Sequence, residues 1–557
     1  MPTPFTSSAT TTFSLSGLTT LDALLSTELQ KWSAGSNSSV SLSYSFPWTT
    51  NSTPVWQAEY SDMLEQEASE HFGLTAAQIA EVNHALQTWA DVALLNFTEV
   101  ADDPDSVGDF RLAFSSAVDG YWGWCYFPDS TWASAGDVWI NPLFATGSSW
   151  TSGSFNYYSL IHETGHGLGL KHPGNYSEGS SSTEIYFPAS LDYRNYSVMS
   201  YNDFQTWFFD TSLQEYIAVV PETPMVYDIE AIQYLYGTNN NYRTGNTTYT
   251  FDPATPFYKS IWDSGGTDTI DISNFSTDCT IDLTPGSYST LHYINTGTRS
   301  DLYDGSNNLG IAFGVTLEMV NGGSGNDTIK GNRAGNSLYG GSGNDTVTGG
   351  AGDDILNGGD GTDKAVYSGN FSDYSISYDG ATDTYTITDK SADRDGSDRV
   401  SGFEQFQFAD AVKADILVPT VTQFSPADGA VNAGNWDDIV ITFSEVIQKG
   451  SGTVAIHLGS ATGSLLEPAY DVSTSTNLTI SESRLTIKPD LSFAFSTHYF
   501  VTFDTGSITD REGNSPDGLQ SYDFTTADPY IDNSGGSGAG PVLAGVGSIA
   551  ILAWVIL

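Results

Sequence analysis

Three histidines and a glutamate cluster in one short stretch of a chain that has only eight histidines in 557 residues. The stretch "HETGHGLGLKH" runs from His162 to His172. On an α-helix, His162 and His166 lie four residues apart and project from the same face, so both imidazoles can reach one metal ion. Glu163 lies one step round the helix, near such an ion without binding it, where a carboxylate can act as a base toward a water on the metal. Gly169 can take a positive φ angle that ends the helix, and the returning chain then brings His172 as a third ligand.

Ordinary helix histidines are the simpler interpretation of a pair four residues apart, but five specified positions in eleven argue against it. The pattern H-E-x-x-H-x-x-G-x-x-H is the metzincin motif, and "YSVMSY" (196–201) resembles the Met-turn of the serralysin branch of metzincins. This resemblance implies one catalytic Zn²⁺ bound by the three histidines, with Glu163 as the general base. It also implies that Met199 forms an apolar floor under the ligands. Tyr201 would approach the zinc in the empty site and hydrogen-bond the oxyanion during the reaction.

The resemblance extends to elements that would position this site. Residues 74–100 have helical periodicity followed by an apolar, strand-like run, and residues 224–237 are similar to the last helix of serralysin catalytic domains. The segment "AGDVWINP" (135–142) looks like the strand at the edge of the family's cleft. Such an edge would hold an extended peptide substrate through backbone hydrogen bonds. The predicted residues of that substrate edge strand are Gly136, Asp137, Val138 and Trp139.

A nine-residue repeat fills residues 322–366 without a gap, as GGSGNDTIK, GNRAGNSLY, GGSGNDTVT, GGAGDDILN and GGDGTDKAV. It is the RTX nonapeptide of calcium-binding β-rolls. Glycines let the first six residues curl tightly, the sixth side chain supplies a hard oxygen for calcium, and the eighth faces the core. A flexible Gly/Asp-rich linker is the alternative, but five units with an apolar residue in phase argue against it.

The repeat also predicts which side chains bind calcium. If two repeats make one turn of the roll, loops eighteen residues apart stack in two rows, and several Ca²⁺ ions bind between them. The second repeat departs from the pattern at Ala334 and Asn336, so calcium should bind more weakly there. The predicted ligands are Asp327, Asp345 and Asp363 in one row, and Asn336 and Asp354 in the other.

Composition excludes some partners and leaves the export route open. The formal net charge of −49 repels nucleic acid and anionic membranes. Two cysteines make no disulfide framework, and Cys125, among aromatic residues, is predicted to be a small core residue. Residues 541–557 carry no charge and reach the short end of the roughly 17 to 25 residues that span a bilayer. They resemble a sorting tail without its basic cluster, so both export machinery and surface attachment stay open.

The sequence therefore predicts a multidomain, monomeric, secreted protein. After a loose N-terminal segment or short propeptide (1–40), we expect an α+β metzincin catalytic domain (41–240) and a parallel RTX β-roll (241–415). An all-β, Ig-like sandwich (416–528) follows as a spacer or adhesive module, with alternating strands and turn signals. A Gly/Ser-rich linker and hydrophobic tail (529–557) end the chain.

The predicted function is zinc-dependent endopeptidase activity on extracellular proteins and peptides. The alternative is a non-catalytic RTX and Ig-like surface adhesin with a degenerate protease domain. The intact Glu163 favours the enzyme, because an unused site would be expected to lose its base early.

Overall fold

The computed structural model describes residues 8–33, 39–57, 59–176, 184–435, 437–516 and 518–529. The chain divides into two compact units, Met1–Asp415 and Ile416–Leu557. The hydrophobic tail predicted at residues 541–557 lies outside the described residues. Within the described ranges, no helix has both the length and the apolar character that crossing a membrane requires.

The N-terminal part of the first unit combines a mixed sheet with four helices. The helices are α1 (Thr19–Asp22), α2 (Ala76–Val92), α3 (Phe155–Gly167) and α4 (Val226–Tyr236). The strands are β1 (Thr10–Thr12), β2 (Gln30–Trp32), β3 (Val40–Ser45), β4 (His71–Phe72), β5 (Leu95–Glu99), β6 (Phe110–Ser115), β7 (Gly123–Cys125), β8 (Val138–Ile140), β9 (Trp207–Asp210) and β10 (Glu215–Ala218). Short 3₁₀ turns lie at Glu65–Glu67 and Pro142–Phe144.

The central sheet has the strand order β5-β3-β6-β8-β7, with β4 paired to β6. Strands β5, β3, β6 and β8 are parallel, and β7 runs antiparallel to β8. Helices α2 and α3 contact each other, α2 packs on β5, and α3 packs on β7 and β8. The helix carrying the histidine motif therefore lies against the sheet beside its β7 edge.

The prediction that residues 136–139 belong to the substrate-binding edge strand is wrong. Strand β8, which contains Val138 and Trp139, lies between β6 and β7, and Gly136 and Asp137 just before it are also buried. A strand paired on both sides has no free backbone edge for a peptide, and the continuous apolar run "VWI" is typical of a strand that is also buried on both faces. Strand β7 forms the edge of the sheet beside the histidine helix, so Cys125 is an edge-strand residue, and its exposure is intermediate where a core position was predicted.

The N-terminal segment is more ordered than predicted. Residues 8–33 form an antiparallel pair, β1 with β2, and the short helix α1. Trp32 is fully buried and its indole nitrogen donates to the carbonyl of Gly167 at 2.8 Å. Leu24 accepts a hydrogen bond from the Lys171 amide at 2.8 Å. A few apolar side chains in the Ser/Thr-rich segment thus anchor it beside the end of α3, which composition alone did not indicate.

The C-terminal part of the first unit is a stack of short strands. A sheet of eight has the order β11-β13-β17-β19-β21-β25-β24-β23, one of six the order β14-β18-β20-β22-β26-β27, and one of three the order β12-β16-β15. Their bounds are β11 (Thr248–Thr250), β12 (Lys259–Ile261), β13 (Thr269–Asp271), β14 (Thr280–Asp282), β15 (Tyr288–Ser289), β16 (Leu309–Ile311), β17 (Met319–Asn321), β18 (Thr328–Lys330), β19 (Ser337–Ser342), β20 (Thr346–Thr348), β21 (Ile355–Asp360), β22 (Lys364–Val366), β23 (Tyr374–Asp379), β24 (Thr384–Asp389), β25 (Ser397–Ser401), β26 (Gln405–Gln407) and β27 (Val412–Lys413).

The predicted β-roll and its eighteen-residue turn are confirmed. Ile329 in β18 pairs in parallel with Val347 in β20, which pairs with Ala365 in β22. On the other side, Leu338 in β19 pairs with Leu356 in β21. All five side chains are fully buried, so the eighth position of each repeat forms the core.

The second unit is all-β in its described residues, as predicted. Its strands form sheets with the orders β28-β30-β35-β34 and β29-β38-β36-β32-β33 and a separate pair, β31 with β37. A core of large apolar side chains, including Ile441, Tyr499 and Phe524, is buried in this unit. The bounds are β28 (Val421–Ser425), β29 (Ala430–Ala433), β30 (Ile439–Phe443), β31 (Gln448–Lys449), β32 (Thr453–Leu458), β33 (Tyr470–Asp471), β34 (Leu478–Ser481), β35 (Arg484–Ile487), β36 (His498–Phe503), β37 (Ile508–Thr509) and β38 (Leu519–Thr526).

Candidate active site and calcium sites

Helix α3 carries the first two motif histidines and then turns the chain back toward them. It begins after Ser154, whose hydroxyl accepts a hydrogen bond from a first-turn amide at 3.2 Å. It ends in a Schellman motif, in which the Leu170 amide donates to Gly165 at 3.0 Å and the Gly169 amide donates to His166 at 2.8 Å. The φ angle of Gly169 is +101°, which glycine adopts without strain. The predicted glycine stop is therefore confirmed.

The three motif histidines meet at one point. Nε2 of His172 lies 3.1 Å from Nε2 of His162 and 3.0 Å from Nε2 of His166. Nδ1 of His162 is 2.8 Å from the carbonyl oxygen of Val198, and Nδ1 of His166 is 2.7 Å from that of Leu170. Because a carbonyl can only accept, both Nδ1 atoms carry the proton and both Nε2 atoms present lone pairs.

This donor set fits a zinc ion. Burial lowers the pKa of His166 to about 4 and that of His172 to about 3, and it holds the pKa of His162 well below its usual range. All three imidazoles are therefore neutral at pH 7, which is the form that binds metal. Three nitrogens converging on one point, with carbonyls fixing two of the rings from behind, match the three protein ligands of catalytic zinc sites.

Glu163 faces a cleft beside the histidines. The cleft has a volume of about 580 Å³ and is lined by Glu163, His166, His172 and Tyr201, together with the edge strand at 123–125. The Glu163 side chain is almost fully buried, and burial raises its pKa to about 8. Glu163 is not part of the histidine cluster, in which three ligand atoms lie within 4.8 Å of one another. A carboxylate in this place can exchange protons with a molecule in the cleft.

Met199 packs against helix α3 between the two helical histidines. Its side chain is fully buried. A Cβ added to Gly165, which lies between His162 and His166 on α3, would come within 2.8 Å of the Met199 sulfur. The thioether therefore packs directly on the helix backbone between the two histidines.

Tyr201 stands at the open side of the histidines. Its ring centroid is 4.2 Å from that of His172, and its ring stacks on Tyr176 with centroids 4.9 Å apart. The Tyr201 side chain is 44% exposed, so the phenol is accessible from the cleft. Burial is the main cause that raises the pKa of Tyr201 to about 12. The hydroxyl therefore stays protonated at neutral pH and can donate a hydrogen bond.

Asp228 on α4 supports the site although the sequence assigned it no role. Its carboxylate accepts hydrogen bonds from the Ser197 hydroxyl at 2.6 Å and the Val198 amide at 2.7 Å. The carbonyl of Val198 in turn accepts from His162. Burial raises the pKa of Asp228 to about 7. The last helix was recognised from the sequence, but only the fold shows that its first-turn carboxylate fixes the Met-turn.

Three predicted calcium ligands carry buried oxygens without partners. The Oδ2 atoms of Asp345, Asp354 and Asp363 are buried and have no hydrogen-bond partner. Their Oδ1 atoms are engaged along the stack: the Asp327 amide donates to Asp345 and the Asp345 amide donates to Asp363, both at 2.7 Å. An unpaired buried carboxylate oxygen is costly unless a cation completes it. This chemistry fits calcium, which prefers hard oxygen ligands.

The side chains of the other two predicted calcium ligands already have hydrogen-bond partners within the protein. Asp327 accepts from the amides of Cys279 and Gly323, each at 2.8 Å. The amide group of Asn336 accepts from the Asn332 amide at 2.8 Å and donates to the Leu317 carbonyl at 3.1 Å. The structure thus divides the predicted ligands into three unpaired aspartates and two paired side chains.

Two acidic residues after the repeats continue the rows. Asp398 accepts from the Asp354 amide at 3.0 Å, and Glu404 accepts from the Asp363 amide at 2.7 Å. They take the place that the next repeat's sixth residue would fill. The sequence around them, "DGSDRVSGFEQF", does not keep the nine-residue spacing, so the repeat pattern alone does not show that they join the rows.

Comparison with known families agrees with the two C-terminal architectures. Residues 227–422 match the family model described as peptidase M10 serralysin C terminal, and residues 415–526 match the bacterial Ig-like domain. Residues 227–422 are thus similar to the C-terminal region of serralysins, and an Ig-like domain follows them.

Individual relatives give the same class. The chain is 34% identical over 329 residues to "Metallopeptidase AprA" of Pseudomonas marginalis, covering 54% of this chain and 62% of that protein. It is 36% identical over 284 residues to "Metalloprotease AprA" of Pseudomonas entomophila (47% and 54%) and 33% identical over 308 residues to "Serralysin" of Photorhabdus laumondii (51% and 60%). The matches span less than two thirds of the length of each relative.

Proposed function

We propose that the chain is a secreted, zinc-dependent endopeptidase that hydrolyses peptide bonds in extracellular proteins. The observation that carries the proposal is the convergence of three histidine Nε2 atoms beside a buried glutamate in an open cleft. Its relationship to proteins named metalloprotease and serralysin supports the same class of reaction. The proposed fold of residues 41–240 is the metzincin α+β catalytic domain.

In the proposed reaction, His162, His166 and His172 hold the metal through their Nε2 atoms. Zinc in such a site supplies a Lewis acid that acidifies water and polarises a carbonyl. Glu163 accepts a proton from the attacking water and delivers it to the leaving amine nitrogen. Burial raises the pKa of Glu163 to about 8, and a cation beside the carboxylate lowers it again, toward neutral pH. Tyr201 donates a hydrogen bond to the developing oxyanion.

The edge of β7 is the proposed binding surface for the peptide backbone. The strand pairs with β8 on one side only, and its residues Gly123 and Cys125 line the cleft. A Cβ added to Gly123 would lie 3.7 Å from Cγ of Glu163, so a peptide added to this edge passes close to the base. An exposed strand edge binds extended peptides without selecting their side chains, which suits an endopeptidase.

A joint assay of zinc content and casein cleavage on the intact chain tests the proposal. We expect about one zinc per chain and cleavage that stops when a chelator removes the zinc. His166→Ala should lose both zinc and cleavage. Zinc-loaded protein that cleaves no protein substrate would favour the alternative, a non-catalytic adhesin. None of the described features of the site supports that alternative.

Replacing Tyr201 with Phe should lower kcat by roughly 100- to 1,000-fold, the usual effect of losing an oxyanion donor. Zinc affinity and KM should change little, because the hydroxyl acts chiefly in the transition state. Steady-state kinetics together with zinc titration measure both quantities. Tyr193→Phe, a substitution of a tyrosine that does not line the cleft, is the control. Equal turnover in the Tyr201 variant would reduce Tyr201 to a packing residue.

We also propose that the β-roll binds several calcium ions through Asp345, Asp354 and Asp363, with weaker binding at Asn336 and Asp327. The three unpaired Oδ2 atoms support this assignment. Close approach of the backbone supports it as well, because a Cβ at Gly349 would lie 2.1 Å from Oδ2 of Asp354. Glycine at the start of a repeat thus keeps space open around the carboxylate.

Calcium affinity should rise between about pH 5 and pH 7. Burial raises the pKa of Asp345 to about 7 and that of Asp354 to about 6 in the calcium-free fold, against about 3.9 in an unfolded chain. Between these values the carboxyl groups of the calcium-free roll hold protons that the unfolded chain has lost. The stability that these protons give the roll is lost as the pH rises through the pKa values of Asp345 and Asp354 in the folded chain. Calcium must displace these protons. Calorimetric titration in buffers of different ionisation enthalpy measures their release, and binding with no proton release at pH 6 would contradict the prediction.

The cellular role follows from the relatives and from charge. A secreted enzyme meets the millimolar calcium that weak extracellular sites require. Protein or peptide substrates are the proposed partners, and the net charge of −49 argues against nucleic acid. The monomeric state, the export route and surface attachment through the tail stay predictions.

A further inference from the structure

We propose that Glu65 is a positioning residue for the substrate-binding edge strand β7. This inference rests on the proposed peptidase function. Glu65 lies on a 3₁₀ turn (Glu65–Glu67) that follows Leu64 in the left-handed region, with φ of +51°. Its side chain is fully buried. It lies outside the histidine motif, and the residues that line the cleft do not include it.

The Glu65 carboxylate binds two side chains of the edge strand and its extension. Oε1 accepts from the Trp124 indole nitrogen at 3.0 Å and from the Tyr126 hydroxyl at 2.5 Å. Oε2 accepts from the Ser61 hydroxyl. The Glu65 backbone is itself anchored, because its carbonyl accepts from the Ser115 hydroxyl of β6 at 2.7 Å. The turn is therefore fixed to the inner sheet and reaches outward to the edge.

Alternation along the strand places the side chains that Glu65 holds on the face opposite Gly123 and Cys125. Successive side chains of a strand point to opposite faces. Cys125 and Gly123 face helix α3, since a Cβ at Gly167 would lie 2.9 Å from the Cys125 sulfur and one at Gly123 would lie 3.7 Å from Glu163. Trp124 and Tyr126 point to the other face, where they meet Glu65.

The backbone hydrogen bonds show that Gly123 and Cys125 form the free edge of the strand. The Asn141 amide donates to the Trp122 carbonyl, and Tyr126 exchanges hydrogen bonds with residues 136 and 137, so 122 and 126 point inward to the β8 side. In an antiparallel pair, inward and outward backbone groups alternate. Gly123 and Cys125 therefore direct their amide and carbonyl groups to the open edge, flanked by residues whose side chains Glu65 fixes.

A second cavity shows how far the positioned edge extends. This cavity of about 430 Å³ is lined by Tyr126, Met63 and Trp132, and it shares Cys125 and Phe127 with the cleft. Tyr126 thus forms a wall of the space that a long peptide enters after it leaves the histidines. By binding Trp124 and Tyr126, Glu65 fixes the position of the edge strand and of this wall. A short ligand that binds only at the metal contacts neither the edge nor the wall.

The test compares variants of the intact, zinc- and calcium-loaded chain. Glu65→Met keeps the length of the side chain and leaves Trp124 and Tyr126 without an acceptor. Its KM for an eight-residue peptide should rise about tenfold or more, while kcat stays within about threefold of wild type, because uniform binding is lost and the chemistry is retained. Glu65→Gln keeps an acceptor oxygen and should restore KM. Glu67→Met, on the exposed face of the same turn, is the matched control and should behave as wild type.

Two further measurements separate positioning from general damage. The inhibition constant of acetohydroxamate, which engages only the metal, should stay within about twofold in Glu65→Met if the loss is confined to peptide binding. Tyr126→Phe removes one of the two aromatic hydrogen bonds and should raise KM in the same direction by less. An unchanged KM in Glu65→Met, or parallel losses in kcat, KM and acetohydroxamate binding, would overturn the inference. Failure of the wild-type chain to cleave any peptide would instead overturn the proposed function.

Discussion

Glu163→Gln should retain zinc and lose peptidase activity by about 10²- to 10⁴-fold in kcat, the range of general acid–base catalysis. Glutamine has nearly the same shape but cannot accept and return the proton. Zinc should remain, because the three Nε2 atoms that converge on the metal position belong to histidines and Glu163 is not among them. Zinc content and steady-state kinetics with one peptide, measured on the same preparation, check both parts of the prediction.

Glu184→Gln is the matched control for this variant. Glu184 also lines the cleft, so the substitution removes one negative charge from the same space. We expect kcat of the control to stay within about threefold of wild type, since a cleft charge acts mainly on substrate binding. If zinc-loaded Glu163→Gln turns over near the wild-type rate, the base must be another group. If it loses zinc, Glu163 has a structural role that its position does not indicate.

Local spacing allowed the metal centre to be predicted from sequence. His162 and His166 are brought together by one helical turn, and Gly169 reverses the chain so that His172 follows at once. All the required geometry lies within eleven residues and depends only on helix pitch and one glycine. The nonapeptide repeat is local in the same way, which is why the buried positions of the roll could be assigned residue by residue.

Residues that act across long separations were missed. Asp228 reaches the Met-turn thirty residues away, and Glu65 reaches Trp124 fifty-nine residues away. The edge strand was misassigned for a related reason. Both "GWC" and "DVWI" are short apolar segments, and only the strand order shows that β8 is inner and β7 is the edge. Sequence periodicity describes a strand's faces and carries no information about its neighbours.

Calcium removal from the intact chain should strongly destabilise the roll and make it sensitive to proteolysis while the zinc centre is still loaded. The unpaired Oδ2 atoms of Asp345, Asp354 and Asp363 are buried at short intervals along the stack, and their charges disfavour folding when no cation is present. Each turn of the roll contributes only two inward side chains, and the five in the repeats are Ile329, Leu338, Val347, Leu356 and Ala365, so burial offsets only part of this cost. Ordering the glycine-rich loops adds an entropic cost.

Calcium binding should raise the free energy of unfolding of the roll by a large amount. A ligand that binds only the folded state stabilises it by about 4 kcal/mol per site at a concentration about 1,000 times its Kd. Three sites of that kind should raise the midpoint of thermal unfolding by about 10 °C or more. Circular dichroism and limited proteolysis with calcium, magnesium or a calcium-selective chelator measure the effect. Magnesium should not substitute, because it demands a smaller octahedral shell.

The experiment requires the intact chain, because the roll is not separable from the residues before it. The Glu222 amide donates to the Tyr258 carbonyl at 2.9 Å, and Trp207 forms a bridge with Leu302. Asp354→Asn should weaken the response to calcium, whereas Asp360→Asn, which removes the same charge from an exposed position of the roll, should leave it unchanged. Equal protease resistance in calcium and in chelator would show that the ion does not stabilise the roll. The unpaired aspartate oxygens would then be satisfied by water, and their assignment as calcium ligands would be wrong.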